Sequence, residues 1–139
     1  MKNMTLEHIA QACGGTYIGE ECDRKKEIQG AVIDSRLVEE GYLFIPIRGA
    51  RVDGHDFIPA VFEKGALAVL SEQRLEHPAG PYILVDSTEE AMKKIAAFYR
   101  RSLDIKVVGI TGSVGKTSTK EMIASVLSEK YCVLKTEGN

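Results

Sequence analysis

The sequence predicts an α/β fold. A small mixed α/β domain spans residues 1–86, and the first β-loop-α-β unit of a second domain spans residues 87–139. Three observations predict it. Short apolar runs of strand length alternate with segments whose apolar residues recur at helical spacing. A glycine-rich turn joins a β-branched run to a helix near residues 105–128. Finally, 139 residues with 44% hydrophobic and 27% charged content suffice for one ordinary domain, or for a small one plus part of another.

Taken in order, Thr5 caps a helix whose apolar residues Leu6, Ile9, Ala10 and Cys13 fall on one face, and Gly14-Gly15 ends it. Tyr17-Ile18 is a short strand, and residues 28–33 form a better one leading into Asp34-Ser35-Arg36. Gly41 breaks the chain before a strand at residues 42–47, after which a polar loop runs from Arg48 through Asp53-Gly54-His55. Asp56 is expected to cap a helix carrying Phe57, Ile58, Val61 and Phe62. Pro59 lies in its first turn, where a missing N–H costs little, and Gly65 ends it. Residues 66–70 and 82–85 are two further strands, with Gly80-Pro81 as turn chemistry between them.

Ser87-Thr88-Glu89-Glu90 is a capping box. The helix behind it carries Ala91, Met92, Ile95, Ala96 and Tyr99 on one face and ends near Arg100-Arg101. A buried parallel strand is expected at residues 105–110. A helix burying Met122, Ile123, Val126 and Leu127 should follow, then a returning strand at residues 131–136. Such a unit normally belongs to a sheet of about 5–6 strands. The second segment should therefore leave much of its apolar surface uncovered, and should dock, pair or fray.

The chemistry concentrates in two places. In the stretch Thr111-Gly112-Ser113-Val114-Gly115-Lys116-Thr117-Ser118, the glycines allow a tight turn and close ligand approach. The helix start offers N–H groups and partial positive charge, Lys116 adds a cation for phosphate oxygens, and the Thr117 hydroxyl suits Mg²⁺. Gly115-Lys116-Thr117 fits the end of the G-x-x-x-x-G-K-[ST] template, while its first glycine falls on Ile110, with Gly109 one place early. The second place is a pair of strand ends, residues 34–36 and 48–55. Arg36 and Arg48 present planar forks for phosphate, and Ser35 a hydroxyl. The same residues also read as solvated turns with surface ion pairs. His55 reads either as a ligand or as a ring satisfying nearby backbone.

These stretches resemble the Mur ligase family. Residues 111–117 are similar to its ATP loop, Thr-Gly-Ser-x-Gly-Lys-Thr. Residues 118–122 and 135–139 resemble the branch that joins D-alanyl-D-alanine to UDP-N-acetylmuramoyl-tripeptide. Asp34-Ser35-Arg36, then Gly41-Tyr42-Leu43-Phe44, then residues 49–55 resemble the family's N-terminal pattern.

The resemblance implies a UDP-substrate-binding domain followed by the start of a P-loop ATPase domain. ATP and Mg²⁺ would bind at residues 111–118, with Lys116 catalytic and Thr117 on the metal. The UDP compound would meet Ser35, Arg36, Arg48, Gly49, Asp53, Gly54 and His55, with Arg51 a further candidate from charge alone. The implied reaction, a cytoplasmic step of peptidoglycan precursor synthesis serving cell wall biogenesis, cell shape and cell division, proceeds through an acyl phosphate. The chain stops inside the family's Thr-x-Gly-Asn stretch and lacks the parts that would hold D-alanyl-D-alanine, so these 139 residues are expected to be inactive alone. The alternatives are a freestanding UDP-sugar-binding module with a vestigial loop, or a related ligase: the preceding Mur step or a folylpolyglutamate synthetase. Residues 34–36 argue against the folate enzyme, and residues 120–122 and 136–139 against the preceding step.

Composition excludes other classes. With 18 basic and 20 acidic residues the net charge is −2, which gives no footprint for nucleic acid. No apolar run reaches the ~18 residues of a membrane span, and no secretory signal opens the chain. The three cysteines, widely spaced and without C-x-x-C, fit neither a disulfide framework nor a zinc site.

Overall fold

Side-chain alternation along five short strands builds the first part of the molecule. The computed structural model describes all residues except Lys2, Arg51, Gly138 and Asn139. The candidate Arg51 and the last two residues of the stretch 135–139 therefore lie outside the described residues. Two compact units divide the chain, one from Met1 to Leu103 and one beginning at Asp104.

In the first unit, α1 (Leu6–Cys13), capped by Thr5 and closed by left-handed Gly14, leads into β1 (Thr16–Ile18). Then come β2 (Gly30–Val32), β3 (Tyr42–Phe44), α2 (Ile58–Glu63), β4 (Ala68–Ser71), β5 (Tyr82–Leu84) and α3 (Thr88–Ser102). The sheet order is β1-β5-β4-β3-β2. Strands β2 to β5 run parallel, and β1 closes one edge antiparallel to β5.

Successive residues face opposite sides of the sheet. On one side Leu43, Ile45, Leu70, Ile83 and Val85 pack with Leu6 and Ile9 of α1 and with Ala91 and Ile95 of α3. On the other, Phe44, Val69 and Tyr82 pack with Ile58 and Val61 of α2. Burying a side chain such as Phe44 or Leu70 contributes about 1.5–3 kcal/mol over leaving it in water. The result is three layers, with helices on both faces of a mainly parallel sheet.

Two expectations are corrected here. The boundary at residue 86 cuts off α3, whose Ala91 and Ile95 belong to the first core, so the first unit runs to Leu103. The cap before α2 is Asp53 rather than Asp56. Asp53 accepts from His55 N–H and starts a 3-10 turn, Gly54–Phe57, that feeds α2.

The second unit contains α4 (Lys116–Ser128), preceded by the glycine-rich turn. Residues 105–110 and 131–136 form no strand, because neither carries ladder hydrogen bonds among the described residues. A parallel strand gains its stability from burial on both faces, and Ile105, Val107, Val108 and Leu134 are all exposed. The expected burial of α4 is also corrected. Met122 and Val126 are 70% and 72% exposed, and only Ala124 is buried, with Ile123 and Leu127 half-buried beside it. Lys120 donates to Thr136 O at 2.7 Å and Lys135 pairs with Glu121, so polar clips tie the returning segment to α4.

Candidate functional site

Four adjacent parallel strands present their carboxyl ends along one edge of the first unit, the usual ligand position in open α/β sheets. After β2, Asp34 accepts from Arg36 N–H at 2.9 Å and receives the Arg36 guanidinium through Nε at 2.9 Å and Nη2 at 2.6 Å. The guanidinium and then the main-chain N–H hold the Asp34 carboxyl down at about 2. Arg36 remains 85% exposed along its side chain. Lys64, at the end of α2, donates to Ser35 O at 2.8 Å and adds a second cation beside Arg36.

After β3 the loop folds on itself. Arg48 and Asp53 form an isolated antiparallel bridge, and Gly49 N–H donates to Val52 O at 2.9 Å. Arg48 Nε lies 3.2 Å from Asp53 Oδ2 and 3.3 Å from Glu72 Oε2. Gly54 N–H donates to Ile47 O, and a Cβ at Gly54 would come within 2.7 Å of Ile47 N, so only glycine fits there. His55 is buried, with Nδ1 2.6 Å from Asp53 Oδ1, while its Nε2 accepts from Glu72 N–H at 3.3 Å. Since Nε2 accepts, the proton sits on Nδ1 and is donated to Asp53. The His55 main-chain N–H and then its ring hold the Asp53 carboxyl below the usual range.

After β4, Glu72 Oε1 accepts from Thr88 N–H at 2.9 Å and Thr88 Oγ1 at 3.1 Å, and the first of these bonds is the main cause of its lowered pKa. After β5, Ser87 caps α3 by accepting from Glu90 N–H.

In the second unit Gly115 adopts the left-handed region at φ 79° and Gly112 lies at φ 149°, both disfavoured for other residues. Gly115 is also the cap of α4, whose first N–H groups have no acceptor within the helix. Lys116 Nζ donates to Gly112 O at 2.7 Å, placing its ammonium across the turn, and Val114 is 89% exposed. The turn is thus an open, cation-bearing helix start whose donor set suits phosphate. For Mg²⁺, which takes six oxygens, the Thr117 hydroxyl would supply one side-chain ligand.

The structure therefore gathers Ser35, Arg36, Arg48, Gly49, Asp53, Gly54 and His55 on or beside one edge. It sets residues 111–118 at the start of α4. Both arginines are shared with carboxylates, and His55 is braced at both nitrogens. Sequence reasoning missed Glu72 and Lys64. The position of Glu72 directly after a strand, where Asp34 and Arg48 also lie, was the available signal; Lys64 had none.

The first unit also has two open grooves. One, lined by Ala31, Ile33, Met92, Tyr99 and Leu103, is apolar. The other, beside Gly41, Gly65 and Pro81, is at the amino ends of the strands. Among the described residues no helix is long and apolar enough to cross a membrane.

A polar carboxyl edge on a parallel sheet, and a glycine-rich turn with a lysine at a helix start, define an α/β protein whose polar groups suit anionic ligands. Residues 27–100 match the Mur ligase family, catalytic domain, and residues 110–139 match the Mur ligase middle domain. The chain belongs to the Mur ligase family.

The chain is 40% identical, over all of its length, to UDP-N-acetylmuramoyl-tripeptide–D-alanyl-D-alanine ligase of Bacillus subtilis strain 168, and covers 31% of that protein. Over 73% of its length it is 45% identical to a UDP-N-acetylmuramoyl-L-alanyl-D-glutamate–2,6-diaminopimelate ligase of Bacteroides thetaiotaomicron, covering 22% of it. Among solved structures, a UDP-N-acetylmuramoylalanyl-D-glutamyl-2,6-diaminopimelate–D-alanyl-D-alanyl ligase from Acinetobacter baumannii superposes with TM-score 0.84 at 32% identity. That match covers 98% of this chain and 30% of the other. The MurF ligase of Thermotoga maritima in complex with ADP superposes with TM-score 0.69 at 38% identity over 78% of this chain and 25% of its own. The chain thus spans about a third or less of the length of the relatives it matches.

Proposed function

We propose that this chain is the substrate-holding unit and phosphate loop of a cytoplasmic ligase that uses ATP to join D-alanyl-D-alanine to UDP-N-acetylmuramoyl-tripeptide in peptidoglycan precursor synthesis. The observation that carries the reading is the turn before α4, with left-handed Gly115 and the Lys116 ammonium across it. The ADP bound to the Thermotoga relative supports ATP as the nucleotide. The match to the Bacillus ligase over the whole chain supports the D-alanyl-D-alanine branch over the preceding step.

In this reading residues 111–118 hold the phosphates. The main-chain N–H groups and the Lys116 ammonium neutralise anionic oxygens, and Thr117 offers its hydroxyl to Mg²⁺. Lys116 leaves Gly112 O to do so, exchanging a neutral acceptor for an anionic one. ATP supplies the activation of the tripeptide carboxylate, as an acyl phosphate, for attack by the dipeptide amine. The chain's own part is charge neutralisation and positioning. Ser35, Arg36 and residues 48–55 hold the UDP compound in the first unit, and Lys64 joins Arg36 there as a second cation.

Calorimetric titration tests this reading. The chain is expected to bind UDP-N-acetylmuramoyl-tripeptide and to release no ADP when both substrates are added, since residues 111–118 are assigned to ATP and no described residue is assigned to the dipeptide. A folded chain that ignores the UDP compound defeats the assignment of residues 35–55. Substrate-dependent ADP release defeats the expected inactivity.

A further inference from the structure

Glu72 touches two separate stretches of chain at once. Its Oε2 faces Arg48 Nε at 3.3 Å, its Oε1 accepts from Thr88 N–H and Oγ1, and its own main-chain N–H donates to His55 Nε2. Its side chain is only 18% exposed, whereas that of Arg48 is 58% exposed. Among the described residues, the other bonds of residues 48–55 are local. Arg48 with Asp53, Gly49 with Val52, and Asp53 with His55 set the loop's internal shape. Gly54 with Ile47 ties it only to the segment it grows from. The contacts from Glu72 instead reach from the end of β4, so they set where the loop stands relative to the sheet.

We propose that Glu72 is a positioning residue: it anchors residues 48–55 to the carboxyl edge of the sheet and so holds them ready for the nucleotide. The inference rests on the proposed function for what the loop receives, and on geometry alone for the anchoring. The role proposed for Glu72 needs no contact with the bound compound. Glu72 acts through Arg48 and His55, and removing its charge leaves Arg48 with a partner from its own loop only.

Glu72→Gln in the full chain separates these roles. The amide oxygen still accepts from Thr88 and the main-chain bond to His55 persists, while the charge facing Arg48 is gone. For a partly exposed pair the expected loss is about fivefold. Hydrogen exchange at the Gly54 amide should speed up by about that factor, with the core amides of β3 and β4 unchanged. Affinity for UDP-N-acetylmuramoyl-tripeptide should fall by about the same factor. Arg48→Gln should also speed Gly54 exchange, and the double variant should exchange no faster than Arg48→Gln alone. Thr88→Val, which loses only the hydroxyl bond, should change neither reading.

Unchanged Gly54 exchange in Glu72→Gln overturns the proposal whether or not a ligand binds. Faster exchange with unchanged affinity overturns the positioning role. Faster exchange in a chain whose parent does not bind the UDP compound at all upholds the anchoring and defeats the proposed function instead.

Discussion

The two units are built from similar residues and come to opposite ends. In the first, every strand has a neighbour, and Phe44, Val69, Leu70 and Ile83 are almost wholly buried. In the second, residues with the same β-branched and aliphatic character, Ile105, Val107, Val108 and Leu134, lie in no strand among the described residues and are exposed. Strand propensity is thus a statement about surroundings. The same Val-Val or Ile-Leu run becomes a strand only where another strand and a covering layer are present. Local features behave differently: the caps of α1 and α3 and the glycine conformations before α4 need only near neighbours, and they form in both units.

The sharpest way to break this comparison is a pair of core truncations. Phe44→Ala should destabilise the first unit by about 3–5 kcal/mol in denaturant unfolding. Val126→Ala, at an exposed site on α4, should change stability by about 0.5 kcal/mol or less. Equal effects would mean that Val126 is covered in solution.

Hydrogen exchange sharpens the same contrast. Amides of β3 and β4 should be protected by at least about 10³-fold, and those of residues 105–110 and 131–136 far less. A monomer protected evenly across both sets would remove the distinction.

Acid should act on the first unit. Asp34, Asp53 and Glu72 all have carboxyls lowered by folding. The native state therefore binds fewer protons than the unfolded one, and stability rises with pH through this range. What these groups contribute is present above the unfolded carboxylate range near 4 and is lost as pH falls toward about 2, the value for Asp34. The melting temperature should drop over that window, and Asp34→Asn should flatten the drop. A variant with the same slope as the parent would show that the Arg36 pair is not formed.

The smallest effect belongs to the loop. Lys116→Ala removes one exposed bond to Gly112 O and should leave the first unit's melting temperature within about 1 °C, as a surface change does.

Much of the first unit was legible in the sequence because its signals are local. Thr5 with Leu6, Ile9, Ala10 and Cys13 gave α1 to the residue, and Ser87 with Glu90 marked the start of α3. The errors have one cause, since each needed knowledge of what lies across space. Asp53 and Asp56 are equally good caps on paper, and the bond to the buried His55 selects Asp53. The boundary at residue 86 follows the capping box, but α3 packs backward onto α1, which no local signal records. Met122 and Val126 sit at helical spacing for burial and find nothing to cover them. In the site, the motif at residues 34–36 and the loop at 48–55 were visible, whereas Glu72 emerged only once β4 stood beside β3.

The parallel order of β2, β3, β4 and β5 has one further consequence. Their carboxyl ends stand side by side at intervals of about 4.8 Å, so Arg36, Arg48 and Glu72 mark successive rungs along one border. A compact anion spans a single rung, while an elongated molecule laid across the border meets several. The edge is therefore marked off like a ruler, with a charged group near each of these rungs.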